Sequence, residues 1–279
     1  MDYKTILVHC NDKARLPRLL GPAVTLGTLF KAHLVGVSVT PPVRVFPAGM
    51  PGVADTVVLD EHCEAYRADN PSMKAAFEAA AGVRSVATEW REGEAGNGSV
   101  AETVLEHART ADLIIAAQAV PGWNNSWQLD IPDRLALESG RPVLIVPNEG
   151  AAPRSPGKRI VLAWNDSREA ARAVFDALPL AKSAEKVLAV QFDPNDGSRR
   201  DAAAALCAAL DRHGVRCESH LAESPDGDVG KALLAQCGRV NADLLVMGCY
   251  GHSRLREVVF GGATRHVLTS MALPVLMSH

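Results

Sequence analysis

Short apolar runs alternate with longer amphipathic segments along this chain of 279 residues. In the C-terminal half, runs typical of β-strands lie near residues 159–164, 187–192, 216–221, 243–247 and 274–277. Segments with helical periodicity lie near residues 167–181, 199–213, 228–239 and 263–271. Strands that alternate with helices in this way are typical of βαβ units, whose strands form a parallel sheet. The pattern therefore predicts an α/β protein.

Two of these helices carry start signals in the sequence. Asp166 is followed three residues later by Glu169, which predicts a capping box for the first helix. Asp228 places an acidic group at the positive end of the third helix. The sequence therefore predicts that these two acidic residues mark where the helices begin.

The same series of strands occurs twice along the chain. Four matched pairs of segments show this: Lys4–Asp12 with Lys158–Asp166, Leu34–Pro41 with Val187–Pro194, Ala111–Ile115 with Ala242–Val246, and Arg141–Ile145 with Leu273–Met277. Self-similarity of this kind indicates a duplication. We therefore predict an N-terminal domain at residues 1–147 and a C-terminal domain at residues 157–279. The segment from Pro147 to Gly157, with three prolines and two glycines, is the predicted linker.

The first copy is the longer one. Matched strands are 153 or 154 residues apart early in the repeat and 131 or 132 residues apart later, so the first copy contains about 22 extra residues. They fall within residues 41–71, which begin with a stretch rich in proline and glycine. We interpret this segment as an excursion over the surface. A lid, a partner-binding arm, packing against the other copy and a passive loop are all compatible with it.

The stretch from Met247 to Thr264 is the best candidate for a binding site. A predicted strand ends there in glycine, and a predicted helix follows a glycine pair, with glycines at positions 248, 251, 261 and 262. Glycine lets a ligand approach the backbone amides, and the N-terminus of a helix attracts anions such as phosphate. The spacing differs from the Walker and dinucleotide patterns. On spacing alone, phosphate binding and simple turn formation both explain these glycines.

A strand followed by G-x2-G-x9-G resembles the nucleotide loop of the universal stress protein family, and the resemblance extends over both copies. It implies two tandem doubly wound α/β domains of the adenine-nucleotide alpha-hydrolase-like type, each with a five-stranded parallel sheet in the order 3-2-1-4-5. It also implies that ATP or a related adenine nucleotide binds in the C-terminal domain, and it leaves open whether Mg²⁺ accompanies the nucleotide. The residues that it places at the nucleotide are Asn165, Val190 (through its backbone), Met247, Gly248, Gly251, His252, Arg254, Gly261, Gly262, Ala263 and Thr264.

The chain departs from the family pattern at two of these positions. Asn165 stands where nucleotide-binding relatives have aspartate, which removes a charged acceptor for the base or ribose. Gly262 stands where they have a serine or threonine whose hydroxyl contacts phosphate. Two further roles stay open. Trp164 either stacks on a base or caps the end of the sheet. Arg254 neutralises phosphate, is solvated or pairs with Glu257.

The first copy has lost the glycine loop. Ala117 and Val120 occupy the positions of the first two motif glycines. A methyl group there would occupy the space of a phosphate, so we predict that the N-terminal domain binds no nucleotide. Trp123 and Trp127 follow this point; they fill the vacant cleft, meet a partner surface or serve in ordinary packing.

Composition excludes several classes of partner and site. A net charge of −3 gives no electrostatic reason to expect nucleic acid or an anionic membrane as a partner. No apolar run reaches the roughly 20 residues that span a bilayer, and the N-terminus leads into a strand without the layout of a signal peptide. The six cysteines show neither CxxC nor Cys/His metal spacing. We therefore expect a cytoplasmic, reduced protein without a metal site.

The sequence offers no catalytic constellation. Neither HExxH nor G-x-S-x-G is present, so we expect binding rather than turnover. The preferred hypothesis is a universal stress protein that acts in the cytoplasmic stress response through nucleotide-dependent or partner-dependent binding. A stress-response scaffold that binds no nucleotide is the alternative, and a nucleotide-hydrolysing or nucleotide-transferring enzyme is a third hypothesis.

The resemblance also implies an assembly. Relatives dimerise through their last strands, so Val143–Ile145 and Val275–Met277 are expected to pair within one molecule as a pseudo-dimer. A homodimer of two chains remains open.

Overall fold

The computed structural model of the chain describes residues 2–10, 12–41, 56–95, 99–120, 131–150, 155–192, 201–224, 226–249 and 262–279. The first half contains β1 (Thr5–His9), α1 (Leu16–Phe30), β2 (His33–Thr40), α2 (Thr56–Gly82), β3 (Thr88–Glu94), α3 (Val100–Ala108), β4 (Leu113–Ala117), α4 (Pro132–Glu138) and β5 (Val143–Val146). The second half contains β6 (Arg159–Ala163), α5 (Arg168–Asp176), α6 (Leu178–Ser183), β7 (Lys186–Phe192), α7 (Ala202–Asp211), β8 (Cys217–Ala222), α8 (Val229–Arg239), β9 (Leu244–Gly248), α9 (Gly262–Ser270) and β10 (Val275–Ser278).

All ten of these strands form one sheet, in the order β3-β2-β1-β4-β5-β10-β9-β6-β7-β8. Within each half the strands are parallel and follow the order 3-2-1-4-5, which confirms the predicted fold class. The central strands are almost continuously apolar because both faces of the sheet are covered. In β4, for example, every residue is buried.

Helices cover the two faces of the sheet in two groups. One hydrophobic core includes side chains from α1, α2, α5, α6 and α7, and the other includes side chains from α3, α4, α8 and α9. Alternate strand residues contribute to each core; Ile6 and Val8 belong to the first core, whereas Leu7 belongs to the second. The period of two along a strand separates the cores in this way. The fold is therefore doubly wound in both halves.

The two halves meet at an antiparallel pair formed by their last strands. Leu144 pairs with Leu276, flanked by the pairs Ile145 with Val275 and Val143 with Met277. All six side chains are fully buried. The structure thus shows the predicted intramolecular pairing, and the sheet runs without interruption from one half into the other.

Two helix starts behave differently from each other. Asp228 caps α8 as predicted, because its carboxylate accepts a hydrogen bond from the backbone N–H of Lys231 at 2.9 Å. The capping box predicted for Asp166 is wrong. Ser167 caps α5 instead, with its hydroxyl accepting from the N–H of Ala170 at 3.2 Å, while Asp166 adopts a positive φ of 57°. Serine and aspartate are both good caps, so local preference alone does not select between adjacent candidates.

The helix predicted at residues 167–181 is two helices, α5 and α6. Pro179 is the second residue of α6. Proline lacks an N–H and disfavours helical geometry in the preceding residue, so it fits the start of a helix better than the interior.

The excursion predicted at residues 41–71 is helical from Thr56 onward, because α2 begins there and continues through Pro71. Residues 42–55 lie outside the described ranges. A passive loop is therefore the wrong interpretation for the second part of the segment. Met73, Phe77 and Ala81 repeat every four residues and are buried against the sheet, which anchors the helix.

None of the helices within the described ranges is long and apolar enough to cross a lipid bilayer.

Candidate functional site

The carboxyl ends of β7, β6 and β9 lie side by side at one edge of the sheet. The helix that follows β6 packs on one face of the sheet and the helix that follows β9 packs on the other. Ligands of doubly wound sheets bind at such a switch point. A cavity of about 210 Å³ lies here, lined by Ala163, Trp164, Asn165, Ser167, Glu169, Ala170, Val190, Phe192, Val229, Leu233, Met247, Gly248, Gly262, Ala263 and Thr264.

The cavity brings together seven of the eleven residues singled out from the sequence: Asn165, Val190, Met247, Gly248, Gly262, Ala263 and Thr264. The other four, Gly251, His252, Arg254 and Gly261, lie outside the described residues. The seven come from four separate elements or their ends. The strand order brings them to one place, and their role toward a ligand stays a prediction.

Gly248 ends β9 at a point where no side chain fits. A Cβ atom on this residue would lie 2.5 Å from the backbone N of Ala170 and 2.5 Å from the backbone C of Glu169. Both atoms belong to the first turn of α5. The glycine is therefore required for the packing of a strand end against a helix start, whatever the cavity binds.

Gly262 is sterically different from Gly248. A Cβ atom built on it would have no described atom within 4 Å. It opens α9, whose first turn contains no acidic residue and contributes Ala263 and Thr264 to the cavity wall. The N–H groups of a first helical turn lack partners within the helix, so those of α9 can donate hydrogen bonds to an anion.

Asn165 and Val190 both have local partners in the backbone. The side-chain oxygen of Asn165 accepts from the N–H of Ser167 at 3.3 Å, which is a turn-forming contact. The carbonyl of Val190 accepts from the N–H of Trp164 at 2.9 Å. A carbonyl oxygen has a second lone pair, and an asparagine amide has two donors, so both residues keep capacity for a ligand.

Glu169 lines the cavity although the sequence assigned it only to a helix cap. Its residue is 8% exposed, and its carboxylate lies 3.1 Å from the guanidinium of Arg168. Burial opposes ionisation, but the N–H of Glu169, the hydroxyl of Ser167 and the charge of Arg168 together hold the pKa of this carboxyl below its usual value. An anionic acceptor therefore lies in the cavity wall. Its position three residues after Asp166 gave no signal for this role.

Trp164 packs against the hydrophobic core and also lines the cavity. Its indole Nε1 is buried without a described partner. Both roles considered from the sequence, stacking on a base and closing the end of the sheet, are compatible with this position.

A model of the universal stress protein family matches residues 157–279. This segment includes every residue of the cavity. Residues 157–279 belong to the universal stress protein family. No curated protein sequence matches the chain.

Solved structures extend the similarity in fold to the whole chain. A universal stress protein from Archaeoglobus fulgidus DSM 4304 is 12% identical, with a TM-score of 0.71 over 98% of this chain and 97% of that one. A functionally unknown protein from Pseudomonas aeruginosa PAO1 is 16% identical, with a TM-score of 0.59 over 99% of this chain and 92% of that one. At this level of identity the likeness shows the fold alone. The N-terminal half therefore has the same fold as the universal stress protein domain that follows it.

The corresponding edge of the N-terminal half is occupied by its own side chains. The hydroxyl of Tyr66, from α2, donates a hydrogen bond to the carbonyl of Cys10 at 2.9 Å. The same hydroxyl lies 3.1 Å from the hydroxyl of Ser38. Cys10 follows β1 as Trp164 follows β6 in the universal stress protein domain. The inserted helix thus covers the end of β1. Trp123 and Trp127, for which filling this cleft is one of three interpretations, lie outside the described residues.

Arg15 and Gln118 cover the ends of β1 and β4. The Arg15 guanidinium donates to the carboxylate of Asp12 at 2.9 Å and to the carbonyl of Gln118 at 3.2 Å. The Gln118 side chain in turn accepts from the N–H of Asn148 at 3.0 Å and donates to the carbonyl of Leu268 at 2.7 Å. Ala117, at the position of Gly248, is buried beside them.

His9 ends β1 at the position that Ala163 occupies in the universal stress protein domain, and it is 1% exposed. Its Nε2 atom is buried without a described partner. Burial lowers the pKa of His9 to about 3, and the charge of Arg15 adds to this effect. The histidine is therefore neutral in the folded protein at any pH near 7.

We expect His9 to lower the free energy of unfolding as the pH decreases. Histidine in the unfolded chain has a pKa of about 6.5, so below this pH the unfolded chain binds a proton that the folded protein does not bind. Stability is therefore lost as the pH falls toward about 3. Between about pH 7 and pH 5, urea unfolding should show up to about 2 kcal/mol of loss in the wild type that is absent in His9→Gln. His220→Gln, which replaces an exposed histidine, should keep the wild-type slope. Parallel pH curves for His9→Gln and the wild type would contradict the expectation.

Proposed function

We propose that this protein is a cytoplasmic stress-response protein that binds ATP or a related adenine nucleotide in its C-terminal half only. In this proposal residues 1–147 and 157–279 are the two domains, and the function is binding rather than turnover. The observation that carries the proposal is the cavity of about 210 Å³ at the switch point of a universal stress protein domain. Seven of the eleven residues that the resemblance singled out line it.

The base is proposed to lie in the apolar part of the cavity. Val190 and Phe192 of β7 and Leu233 of α8 contribute to its wall. Adenine offers a flat apolar face together with hydrogen-bonding edges, so it matches an apolar wall with free backbone and amide groups beside it. The cavity is smaller than a typical site for a whole ligand of drug size, which suits a base better than an entire nucleotide.

The phosphates are proposed to lie at the start of α9. The N–H groups of Gly262, Ala263 and Thr264 have no partners within the helix, and the helix dipole favours an anion there. Arg265, exposed in the same turn, adds a positive charge. Glu169 lies beside Gly248, where its carboxylate would repel a phosphate. We therefore assign it to the ribose hydroxyls, which donate hydrogen bonds to a carboxylate.

The N-terminal half is proposed to bind no nucleotide. His9 stands where the C-terminal cavity has Ala163, and Tyr66 covers the end of β1. A ligand would have to displace buried side chains whose hydrogen bonds it would also have to replace. These contacts support a stoichiometry of one nucleotide per chain.

Titration calorimetry with ATP tests the site through Gly262. Gly262→Ser restores a hydroxyl at the motif position, and no atom of the described residues lies within 4 Å of the added Cβ. We expect ATP to bind about tenfold more tightly, because one hydrogen bond to a charged group is worth about 1.5 kcal/mol. Gly262→Ala adds the same Cβ atom without the hydroxyl and should leave the affinity unchanged.

Further outcomes locate the site. The wild type should bind about one ATP per chain, and Ala163→His, which copies the N-terminal residue into the cavity, should abolish binding. Equal ATP affinities of Gly262→Ser and Gly262→Ala would contradict the proposed position of the phosphates at the start of α9. No ATP binding by the wild type, together with no adenine absorbance in purified protein, would favour the scaffold that binds no nucleotide.

A further inference from the structure

Two cysteines lie against each other at the outer edge of the C-terminal half. The Sγ atoms of Cys207, in α7, and Cys217, at the start of β8, are 2.6 Å apart. Both are free thiols. A disulfide bond is about 2.0 Å long, so little movement separates this contact from a covalent bond. The nucleotide cavity does not include either residue.

The pair differs from the other described cysteines in exposure. Cys10, Cys237 and Cys249 are buried, whereas Cys207 and Cys217 are only partly buried. Each of the three buried thiols is surrounded by core side chains. Solvent therefore reaches part of both residues, which pack at the margin of the first core with their sulfur atoms in contact.

The surrounding structure holds the two sulfur atoms in place. Leu206 and Leu210 of α7 are buried in the core, which fixes the helix face that carries Cys207. Cys217 pairs with Val187 in the β7–β8 ladder, which fixes the strand. The two cysteines are ten positions apart along the chain. The contact thus joins a helix to the strand at the edge of the sheet.

We propose that Cys207 and Cys217 are an oxidation site that takes a low-molecular-weight disulfide as its co-reactant and forms an intramolecular disulfide. One cysteine, as its thiolate, attacks a sulfur of the small disulfide; a mixed disulfide forms and one small thiol leaves. The second cysteine attacks the mixed disulfide and releases the other small thiol. In total two cysteine thiols are oxidised, and the small disulfide is reduced to two thiols by the transfer of two electrons and two protons.

The product would tie β8 to α7. Among the described strands, β8 lies at the end of the sheet and pairs with β7 alone. A covalent link at its first residue restricts the separation of this edge from the helix that covers it, because a disulfide limits the unfolded ensemble of the loop that it closes. Burial raises the pKa of both thiols, so the thiolate is scarce near neutral pH and the first attack is slow.

Peptide mapping of the full chain tests the site. Reduced protein is incubated with oxidised glutathione at about pH 8, where more thiolate is present, and is then blocked with N-ethylmaleimide at intervals. Trypsin, used without reduction, cuts after Arg212 and Arg216 and so places the two cysteines in separate peptides, 201–212 and 217–231. We expect these peptides to appear joined, with a mass lower than their sum by two hydrogen atoms. The joined species should disappear on reduction and in Cys207→Ser.

Stability provides a second measurement. Oxidised wild type should melt at a higher temperature than reduced wild type, and Cys217→Ser should show no such difference. Peptides that carry glutathione singly without becoming joined would overturn the proposal. So would joining of the buried Cys237 or Cys249 at the same rate, because that result would indicate disulfide exchange in unfolded chains.

Discussion

Gly248→Ala is expected to destabilise the protein by about 3 kcal/mol, because the added Cβ atom meets backbone on α5 rather than a movable side chain. Its contacts at 2.5 Å to Ala170 N and Glu169 C cannot be relieved by a change of rotamer. Either β9 or α5 must shift, and both line the cavity. Urea unfolding, followed by circular dichroism, measures the change as a lower midpoint at an unchanged slope.

Gly262→Ala is the matched control for this prediction. It makes the same chemical change at the start of α9, where the added Cβ meets no atom of the described part of the chain within 4 Å. Its stability should stay within about 0.5 kcal/mol of the wild type or rise slightly, since alanine favours a helix more than glycine does. Equal destabilisation by the two substitutions would show that the close approach of α5 to Gly248 is not what makes alanine costly there. Because Gly248→Ala disturbs this packing, a loss of ATP binding in that variant would not by itself identify a ligand contact.

Leu276→Ala should cost about 3 to 4 kcal/mol, which is typical of a fully buried leucine whose neighbours cannot collapse into the space. Leu276 lies opposite Leu144 in the antiparallel pair that joins the halves, and both are 0% exposed. Both also belong to the same core. Leu29→Ala, at a leucine that is 52% exposed on α1, should change stability by no more than about 0.5 kcal/mol.

A double-mutant cycle at these two leucines tests the junction itself. Leu144→Ala should destabilise by an amount similar to Leu276→Ala, and the double variant should lose less than the sum, by about 1 kcal/mol or more. The shortfall arises because each single variant already removes the contact between the two side chains. Strictly additive losses would mean that the two leucines do not pack on each other across the junction.

Much of the fold could be predicted because the strands are separated by clear helical segments and occur twice. Local pattern failed where two adjacent signals competed. Asp166 and Ser167 both suit a helix start, and tertiary placement selected the serine. Pro71 resembles a helix breaker, yet the packing of Met73 and Phe77 on the sheet keeps α2 continuous through it.

The candidate site could be predicted only as far as the strand ends determine it. Gly248, Val190 and Asn165 come together because the strands that carry them are neighbours in the sheet. Glu169 was missed because its place in the wall depends on how close β9 approaches α5. Tyr66 was missed because its contact with β1 depends on the path of an inserted helix, which no repeat in the sequence specifies.

The antiparallel junction has a consequence for communication across the molecule. Since the strands of one half run opposite to those of the other, their carboxyl ends lie at opposite edges of the sheet. Yet α9 reaches both. Its first turn walls the cavity, and the carbonyl of Leu268, near its other end, holds Gln118 at the far edge. A single helix of about two and a half turns therefore contacts the cavity at one end and Gln118 at the other.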